Sequence, residues 1–279
     1  MDYIPETGVP RFKLVIEYAG TRYSGWQIQK NARTVQGEID RAIRETAGPS
    51  TGSGQGRPFE LYGAGRTDAG VHALAQVAHL ELYTNLPPET LRRAINDELP
   101  ADIHVRSIEK VPHRFHARHD AVSRSYLYQI SRRRTAFGKP FVWWIREPLD
   151  VDAMRVAARA FVGRRDFAAF SDDDPDEKST IVVVEKVELV EVDALLLIRM
   201  QGSHFLWKMV RRVVGVLAAV GRGELKPDDA SKLLISGGRE PLTPAALTAP
   251  AAGLFLERVY YKGDVPETAL QPVINIGRD

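Results

Sequence analysis

The pattern of apolar and polar residues in the first half of the chain predicts alternating strands and helices. Over residues 12–18, apolar side chains occupy every second position, which is typical of a strand with one buried face. After a turn at 19–21, apolar residues recur at helical spacing from Thr34, a residue type that commonly caps helix N-termini. Three further elements are predicted in this half: a strand over about 75–82, a helix over about 88–97 and a strand over about 102–109.

The second half of the chain repeats this alternation. Its first strand, over about 124–130, places Arg124, Tyr126, Tyr128 and Ile130 on one face. The other elements predicted here are a helix over 150–162, a hairpin of strands 180–192 and 194–201, a long helix over 203–220, a short helix after Pro227 and a final strand over 254–261.

Strands mixed with helices, with a hairpin among them, indicate an α+β (mixed α/β) fold with mostly antiparallel sheets. We expect an N-terminal α/β half over 1–112, a C-terminal α/β half over 113–262 and a flexible tail over 263–279. The stretch 48–56, rich in glycine and serine, is expected to be a flexible surface loop.

Composition narrows the class of protein. The 279 residues are 44% hydrophobic and 27% charged, which are values typical of globular proteins. No apolar run approaches the roughly 20 residues that a membrane span needs, and the first residues do not resemble a signal peptide. The chain has no cysteine, which excludes disulfides and fits a cytoplasmic protein.

Charge is distributed unevenly along the chain, although the net charge is only +2. The segment 110–139 contains one carboxylate, Asp120, whereas 172–177 contains five. The basic segment carries eight cations: Lys110, Arg114, Arg118, Arg124, Arg132, Arg133, Arg134 and Lys139. This asymmetry favours a basic groove that faces a polyanion, with two solvated loops of opposite sign as the alternative.

Asp68 is the strongest candidate for chemistry. It lies between Arg66 and Gly70, in a loop of small residues that leads into the strand predicted over 75–82. Glycines allow tight turns and close approach of a ligand, so the carboxylate can be presented to a substrate. The alternative is a turn in which the aspartate caps its own backbone. A carboxylate held away from water acts as a nucleophile or an electrostatic stabiliser, and needs a nearby cation to stay ionised.

The predicted helix over 203–220 offers such cations. His204, Lys208 and Arg211 follow one another at positions i, i+4 and i+7, so they would project from one side of a helix. The alternative is a solvated polar stripe. Tyr126 can offer a ring on which a base stacks, a contact that is worth about 1–3 kcal/mol per base. For Tyr128, packing in the core is an equally good interpretation.

Metal chemistry finds little support. His72 and His79 are seven residues apart without a completing set of ligands, and His116 and His119 lack suitably spaced carboxylates. The acidic stretch from Asp172 begins like a calcium-binding loop but lacks the required glycine and the final glutamate. The sequence therefore predicts no required metal.

Several motifs, in order along most of the chain, resemble the TruA (tRNA pseudouridine synthase A) family. The match extends from about 12 to 261. It is carried by these segments: 18–27 (YAGTRYSGWQ), 33–37 (RTVQG), 65–80 (GRTDAGVHALAQVAHL), 117–128 (ARHDAVSRSYLY), 202–212 (GSHFLWKMVRR) and 252–256 (AGLFL). Two departures are Ala75, where glycine is more usual, and the acidic stretch within 171–180.

The resemblance implies the pseudouridine synthase fold, with two halves resembling RRM or ferredoxin-like domains around a central basic cleft. It implies isomerisation of uridine to pseudouridine at positions 38–40 of the tRNA anticodon arm, with no cofactor and a homodimeric enzyme. The catalytic residues would be Asp68 as the nucleophile, Arg211 as its ionic partner, and Tyr126, which would stack on the target base and help in the proton step. Arg66 would help to extrude the nucleotide, and the remaining substrate-binding candidates are Arg118, Arg124, Lys208 and His204.

Three alternatives remain open. The first is a pseudouridine synthase that acts at another RNA position. The second is a non-catalytic RNA-binding protein built from RRM-like sheets, although no RNP-type run of glycine and aromatic residues is present. The third is a nucleobase hydrolase, which would release free uracil.

Overall fold

The computed structural model describes residues 8–47, 59–173, 179–265 and 269–277. The chain divides into two compact units, Met1–Ala121 and Val122–Asp279. The division falls after Ala121, whereas the sequence suggested a boundary after residue 112. The stretch 48–56, which we expected to be a surface loop, lies outside the described residues.

Unit 1 combines a sheet with two helices. The elements are β1 (Arg11–Tyr18), α1 (Val35–Ala47), β2 (Phe59–Gly63), β3 (His72–Leu82), α2 (Pro88–Glu98) and β4 (Ile103–Val111). The strand order is β4–β1–β3, with β2 paired to β3, and all of these pairs are antiparallel. Strands β1 and β4 and helix α2 agree closely with the prediction, whereas the five-residue strand β2 was not predicted.

The core of unit 1 follows from the alternation in β1. Leu14 and Ile16 are fully buried, and the apolar residues Ile39 and Ile43 of α1 are buried as well. Helix α1 packs against α2, and α2 packs against β4. The predicted helix cap is confirmed, because the Gly37 amide donates a hydrogen bond of 3.2 Å to Oγ1 of Thr34.

The elements of unit 2 are β5 (Ala121–Ser131), β6 (Trp143–Trp144), α3 (Val151–Ala158), β7 (Gly163–Asp166), β8 (Ile181–Val192), β9 (Leu195–Gly202), α4 (Met209–Gly221), α5 (Asp229–Ser236) and β10 (Leu254–Tyr261). Five of these strands follow the order β10–β5–β9–β8–β7. The pairs β5–β9, β8–β9 and β7–β8 are antiparallel, and the short β6 pairs with β5 in parallel. The mixed α+β class with mostly antiparallel strand pairing is therefore confirmed.

Helix α4 is the buried helix of unit 2. Every residue from Val213 to Gly221 is buried. Gly215 allows the chain at Leu247 to approach the helix closely, since a Cβ at position 215 would lie 1.7 Å from the Leu247 carbonyl oxygen. None of the described helices has the length and apolarity needed to span a membrane.

The predicted start of this helix was wrong. The helix begins at Met209, because strand β9 continues to Gly202 and Lys208 has a left-handed backbone with φ of 62°. A helix cannot continue through such a residue. The segment 203–208 is therefore irregular. The predicted hairpin is confirmed, with Asp193 in the turn at φ of 50°.

Part of the C-terminal tail is attached to unit 2. The carbonyl of Ala269 accepts a hydrogen bond of 2.7 Å from Nη2 of Arg199, and the amide of Val273 donates to Oε1 of Gln129 at 2.7 Å. Ile276 is only 4% exposed. Residues 269–277 belong to the tail that we expected to be flexible, but they make specific contacts with unit 2. The spacing of apolar residues in the sequence does not predict these contacts.

Candidate active site

The loop that carries Asp68 is fastened to the segment that follows β1. The amide of Trp26 donates to the Thr67 carbonyl at 3.0 Å, and the amide of Gly70 donates to the Tyr23 carbonyl at 3.2 Å. These two bonds flank Asp68 on both sides, and its side chain is partly buried. The loop is therefore held in one conformation, although it has no regular secondary structure.

Two glycines of the segment 20–25 allow it to approach the loop closely. A Cβ at Gly20 would lie 1.9 Å from the Val71 carbonyl oxygen, and one at Gly25 would lie 2.6 Å from that of Thr67. Gly25 also has a φ of +100°, a conformation that other residues rarely adopt. The segment 18–27 is thus the scaffold on which the Asp68 loop rests.

Buried side chains complete this scaffold. The hydroxyl groups of Tyr18 and Thr67 are 2.8 Å apart and hydrogen-bonded. Nε2 of Gln76, which is fully buried, donates to the Gly65 carbonyl at 3.0 Å. Arg66, which lies between these two anchored residues, has an exposed side chain. Unit 1 therefore presents a partly buried carboxylate and an exposed guanidinium on a fixed loop.

In unit 2, the start of β5 lies beside the irregular segment 203–208. Arg124 is opposite Gly202 in the sheet, and its Nη1 donates to the Ser203 carbonyl at 2.8 Å. The Tyr126 ring contacts the Phe205 ring edge to face, with centroids 5.1 Å apart. This arrangement fixes the plane of the Tyr126 ring while leaving the residue partly exposed.

Tyr128 belongs to the core. It is fully buried, and its hydroxyl donates to the Pro250 carbonyl at 2.7 Å. Burial raises the pKa of this tyrosine above its ordinary value. Of the two tyrosines on this face of β5, only Tyr126 has the exposure that a contact with substrate requires.

Arg211 lies in the first turn of α4 and is anchored at its base. Its Nε donates to the Ala249 carbonyl at 2.7 Å, and its own carbonyl accepts from the Ala249 amide at 3.0 Å. The residue is partly buried. The bond from Nε orients the guanidinium, and the backbone bond holds the residue against Ala249.

Lys208 and Arg212 share one carboxylate. Nζ of Lys208 is 2.6 Å from Asp172, and Nη2 of Arg212 donates to the other oxygen of the same residue. Hydrogen bonds from Lys208 and then Arg212 lower the pKa of Asp172. Of the acidic stretch 172–177, Asp172 and Asp173 are described, and both contact the segment that precedes α4.

The proposed common helical face of His204, Lys208 and Arg211 does not exist, because only Arg211 belongs to α4. His204 is exposed, and its Nδ1 is 3.1 Å from Oγ of Ser203. Arg124 and Tyr126 contact Ser203 and Phe205, so they lie beside the irregular segment that contains His204 and Lys208. Arg211 follows this segment in the first turn of α4 and contacts Ala249.

The basic segment does not form one continuous surface. Arg124 is the fourth residue of β5 and Arg132 directly follows the strand, so their separation of eight positions corresponds to about 26 Å. Arg132 is paired with Glu191 at 2.5 Å, and Nε of Arg133 donates to the Gly277 carbonyl at 3.0 Å. The cations near Arg132 therefore serve contacts within unit 2. Arg118, in unit 1, is exposed.

A cluster of aromatic rings in unit 1 was missed by the sequence reasoning. The His79 ring stacks on Tyr62 at 5.2 Å and meets His116 at 4.6 Å, and His116 lies 4.2 Å from His119. Nδ1 of His79 accepts from the Ala117 amide at 3.2 Å. Burial, followed by the nearby His116 and Arg11, lowers the pKa of His79 to about 4. Among the described residues, no group of three or more potential ligands could hold a metal ion.

Comparison with known proteins identifies the family. The family model described as tRNA pseudouridine synthase matches residues 14–120 and 157–262. The tRNA pseudouridine synthase A of Geobacter sp. (strain M21) is 40% identical over 251 residues, covering 89% of this chain and 98% of that protein. The enzyme of the same name from Syntrophotalea carbinolica is 41% identical, covering 89% and 95%.

The same name is carried by a relative from Paramagnetospirillum magneticum, which is 39% identical and covers 91% of this chain and 96% of its own length. Among solved structures, a chain titled "Crystal Structure of a Cbf5-Nop10-Gar1 Complex" aligns with 74% of this chain and 54% of its own, at 11% identity and a TM-score of 0.31. Since the family model covers most of the chain, the protein belongs to the tRNA pseudouridine synthase family, whose members are isomerases.

Proposed function

We propose that this protein converts uridine to pseudouridine at positions 38, 39 and 40 of the tRNA anticodon arm, with Asp68 as the nucleophile and without a cofactor. The observation that carries the proposal is the Asp68 loop. Its sequence matches the family motif, and backbone hydrogen bonds on both sides of Asp68 hold its carboxylate in a fixed position. The reaction breaks the N–C glycosidic bond, turns the uracil and rejoins it through carbon. It consumes no electrons and transfers no group to a second substrate.

Asp68 is suited to this role because it is presented by a rigid loop. A carboxylate at pH 7 is ionised and is a poor base, but it is a competent nucleophile when its orientation is fixed. The bonds from Trp26 and Gly70 supply that fixation. Attack on the base and attack on the sugar are both compatible with such a group.

Arg211 would keep Asp68 ionised when substrate excludes water. Desolvation raises the pKa of a carboxyl group, and an adjacent guanidinium opposes this rise. The anchoring of Arg211 to Ala249 supports such a role, since an oriented cation need not reorganise during the reaction. This role for Arg211 rests on its motif as well as on its geometry.

Tyr126 and Arg66 would handle the extruded nucleotide. A paired uridine hides its reacting atoms, so it has to leave the stack, which costs a few kcal/mol. The Tyr126 ring, fixed by Phe205, offers a stacking surface. Arg66, which is exposed on the same loop as Asp68, would occupy the space that the nucleotide leaves or contact its phosphates.

Phosphate contacts would supply most of the affinity. Arg118 and His204 are exposed, and Arg124 is bonded to the Ser203 carbonyl. Lys208 stays in this group as a candidate, although it is already paired with Asp172. Binding would weaken steeply with salt, as expected when cations displace counterions from RNA. We further propose that the protein is a cytoplasmic homodimer. Sedimentation analysis would measure the mass of the assembly.

The test uses tRNA that carries tritium at C5 of uridine. Isomerisation releases tritium into water while the base is retained, hydrolysis releases labelled uracil, and simple binding does neither. Substrates that keep a single uridine at 38, 39, 40 or a distant position determine the site. Release from the distant position alone would refute the proposed specificity.

Two variants test the role of Asp68. Asp68→Asn should abolish turnover while tRNA affinity stays within a few-fold of the wild-type value, because the amide keeps the shape and loses the nucleophile. Asp97→Asn is the matched control, since Asp97 is an exposed aspartate of α2 in the same unit. Wild-type turnover in Asp68→Asn would remove this residue from the mechanism.

A further inference from the structure

Two carboxylates hold the irregular segment that leads into α4. The amide of Asp172 donates to the Trp207 carbonyl at 3.4 Å, and Oδ2 of Asp173 accepts from the Trp207 amide at 2.8 Å. Both backbone groups of Trp207 are therefore bonded to residues 172–173. Ser171 supports this contact, since its Oγ donates to Oδ2 of Asp173 at 3.1 Å.

The side chain of Asp172 reaches the first turn of the helix itself. It pairs with Lys208, the residue with the left-handed backbone, and with Arg212 in the first turn. A left-handed conformation at a residue other than glycine is unfavourable and persists only where its surroundings hold it. A negative charge at a helix N-terminus also stabilises the helix.

Among the residues that the structure describes, Asp172 is the carboxylate that pairs with Arg212. The residue is 5% exposed, and its Nε is buried without a hydrogen-bond partner. Removing the charge of Asp172 would leave a buried guanidinium without its counterion, which is strongly unfavourable. The first turn of α4 would have to shift so that Arg212 could reach water.

Arg211 is the neighbour of Arg212 in this turn and would move with it. Its own anchor is the Ala249 carbonyl, on another side of the helix. The first turn is therefore held from two directions, by Ala249 through Arg211 and by Asp172 through Arg212 and Lys208.

We propose that Asp172 is a positioning residue, whose carboxylate fixes the first turn of α4 and thereby the place from which Arg211 acts. The inference rests on the proposed function of Arg211. It also gives Lys208 a structural role, because its ammonium group is committed to Asp172. Asp172, the first residue of the acidic stretch, thus contributes to the rate of the reaction.

The principal variant is Asp172→Asn, which keeps the shape and removes the charge. The rate of tritium release in a single turnover at saturating enzyme should fall about tenfold or more, since small displacements of an oriented group have effects of this size. The tRNA Kd should stay within threefold. Asp152→Asn is the matched control, because it removes one negative charge from an exposed pair with Arg155 in the same unit and should change neither quantity.

A compensating variant separates positioning from other roles. In Asp172→Asn combined with Arg212→Met, the buried cation is removed together with its partner, so the turn can settle again. We expect most of the lost rate to return. An unrestored rate would overturn the proposal, as would a wild-type rate in Asp172→Asn. A Kd that tightens in Asp172→Asn at an unchanged rate would overturn it too, because Lys208 would then be a phosphate contact.

Hydrogen exchange provides a measurement that does not depend on catalysis. The Trp207 amide should exchange faster in Asp172→Asn than in the wild type, whereas unchanged exchange would refute the hold on this segment. If Asp172→Asn fails to fold, the variant Asp172→Glu is used, because it keeps the charge and should keep the rate. A tenfold loss of rate in Asp172→Glu with normal exchange of the Trp207 amide would refute the proposal.

The failure of the proposed function can be distinguished from the failure of this inference. If the wild type releases no tritium, the proposed function fails, and hydrogen exchange at Trp207 still decides the role of Asp172.

Discussion

Replacing Gly25 by alanine should damage catalysis far more than stability. Gly25 has a φ of +100°, and its new Cβ would lie 2.6 Å from the Thr67 carbonyl oxygen, where ordinary contact begins near 3.4 Å. The loop would therefore have to move by roughly 0.8 Å beside Asp68. Displacement of a reacting group by 1 Å costs on the order of 10²-fold in rate, so we expect a loss of several tens-fold.

The stability cost of the same change should be modest. A residue other than glycine at positive φ costs about 1–3 kcal/mol. Gly163→Ala is a matched control, because Gly163 has a φ of +93° but its Cβ would meet no atom within 4 Å. Both variants should lose similar stability in urea unfolding, and only Gly25→Ala should lose single-turnover rate. Equal rate losses in the two variants, or a wild-type rate in Gly25→Ala, would refute the scaffold role of this segment.

Two further predictions concern charge. The pKa of His79 is lowered to about 4 in the folded protein, so folding favours its neutral form; this stability is present above pH 6.5 and is lost as the pH falls towards 4. When the pH falls from 7.5 to 5, the protonation of His79 should lower the free energy of unfolding by about 2 kcal/mol. Urea unfolding of His79→Gln should therefore show a fall in stability over this pH range that is about 2 kcal/mol smaller than that of the wild type. Glu257→Gln should cost about 3–5 kcal/mol in urea unfolding, because Arg199 is 1% exposed and loses its 2.5 Å partner. Glu188→Gln, whose carboxylate is 3.6 Å from Arg199 and 37% exposed, should cost under about 1 kcal/mol.

Alternation and capping made much of the fold predictable. The strand around Leu14, the helix that Thr34 caps and the hairpin that turns at Asp193 all follow from local patterns. Each of these elements buries one face, so the spacing of apolar residues reports its geometry directly. The candidate Asp68 could be identified for a different reason, since its motif is local and continuous.

The start of α4 could not be predicted in this way. The spacing of Phe205 and Met209 is compatible with a helix, but Lys208 adopts a left-handed backbone instead. Its neighbour Trp207 is bonded to Asp173, 34 residues away, and no local pattern encodes that contact. The distribution of charge along the sequence was a poor guide for a related reason. Lys208 and Arg132 have no carboxylate close to them in sequence, but each pairs with a carboxylate that the fold brings near, Asp172 and Glu191 respectively.

Two of the candidate catalytic residues, Asp68 and Arg211, are positioned by bonds to the backbone of distant segments. Asp68 lies between residues whose backbone groups bond to Tyr23 and Trp26, and Arg211 is bonded to Ala249. An irregular segment has no ladder of its own, so its polar groups are satisfied by another segment, which then fixes its position. The segments 18–27 and 247–253 therefore support the residues Asp68 and Arg211, although neither segment carries a candidate reacting group. Changes in these segments should therefore lower the rate of isomerisation while leaving tRNA affinity nearly intact.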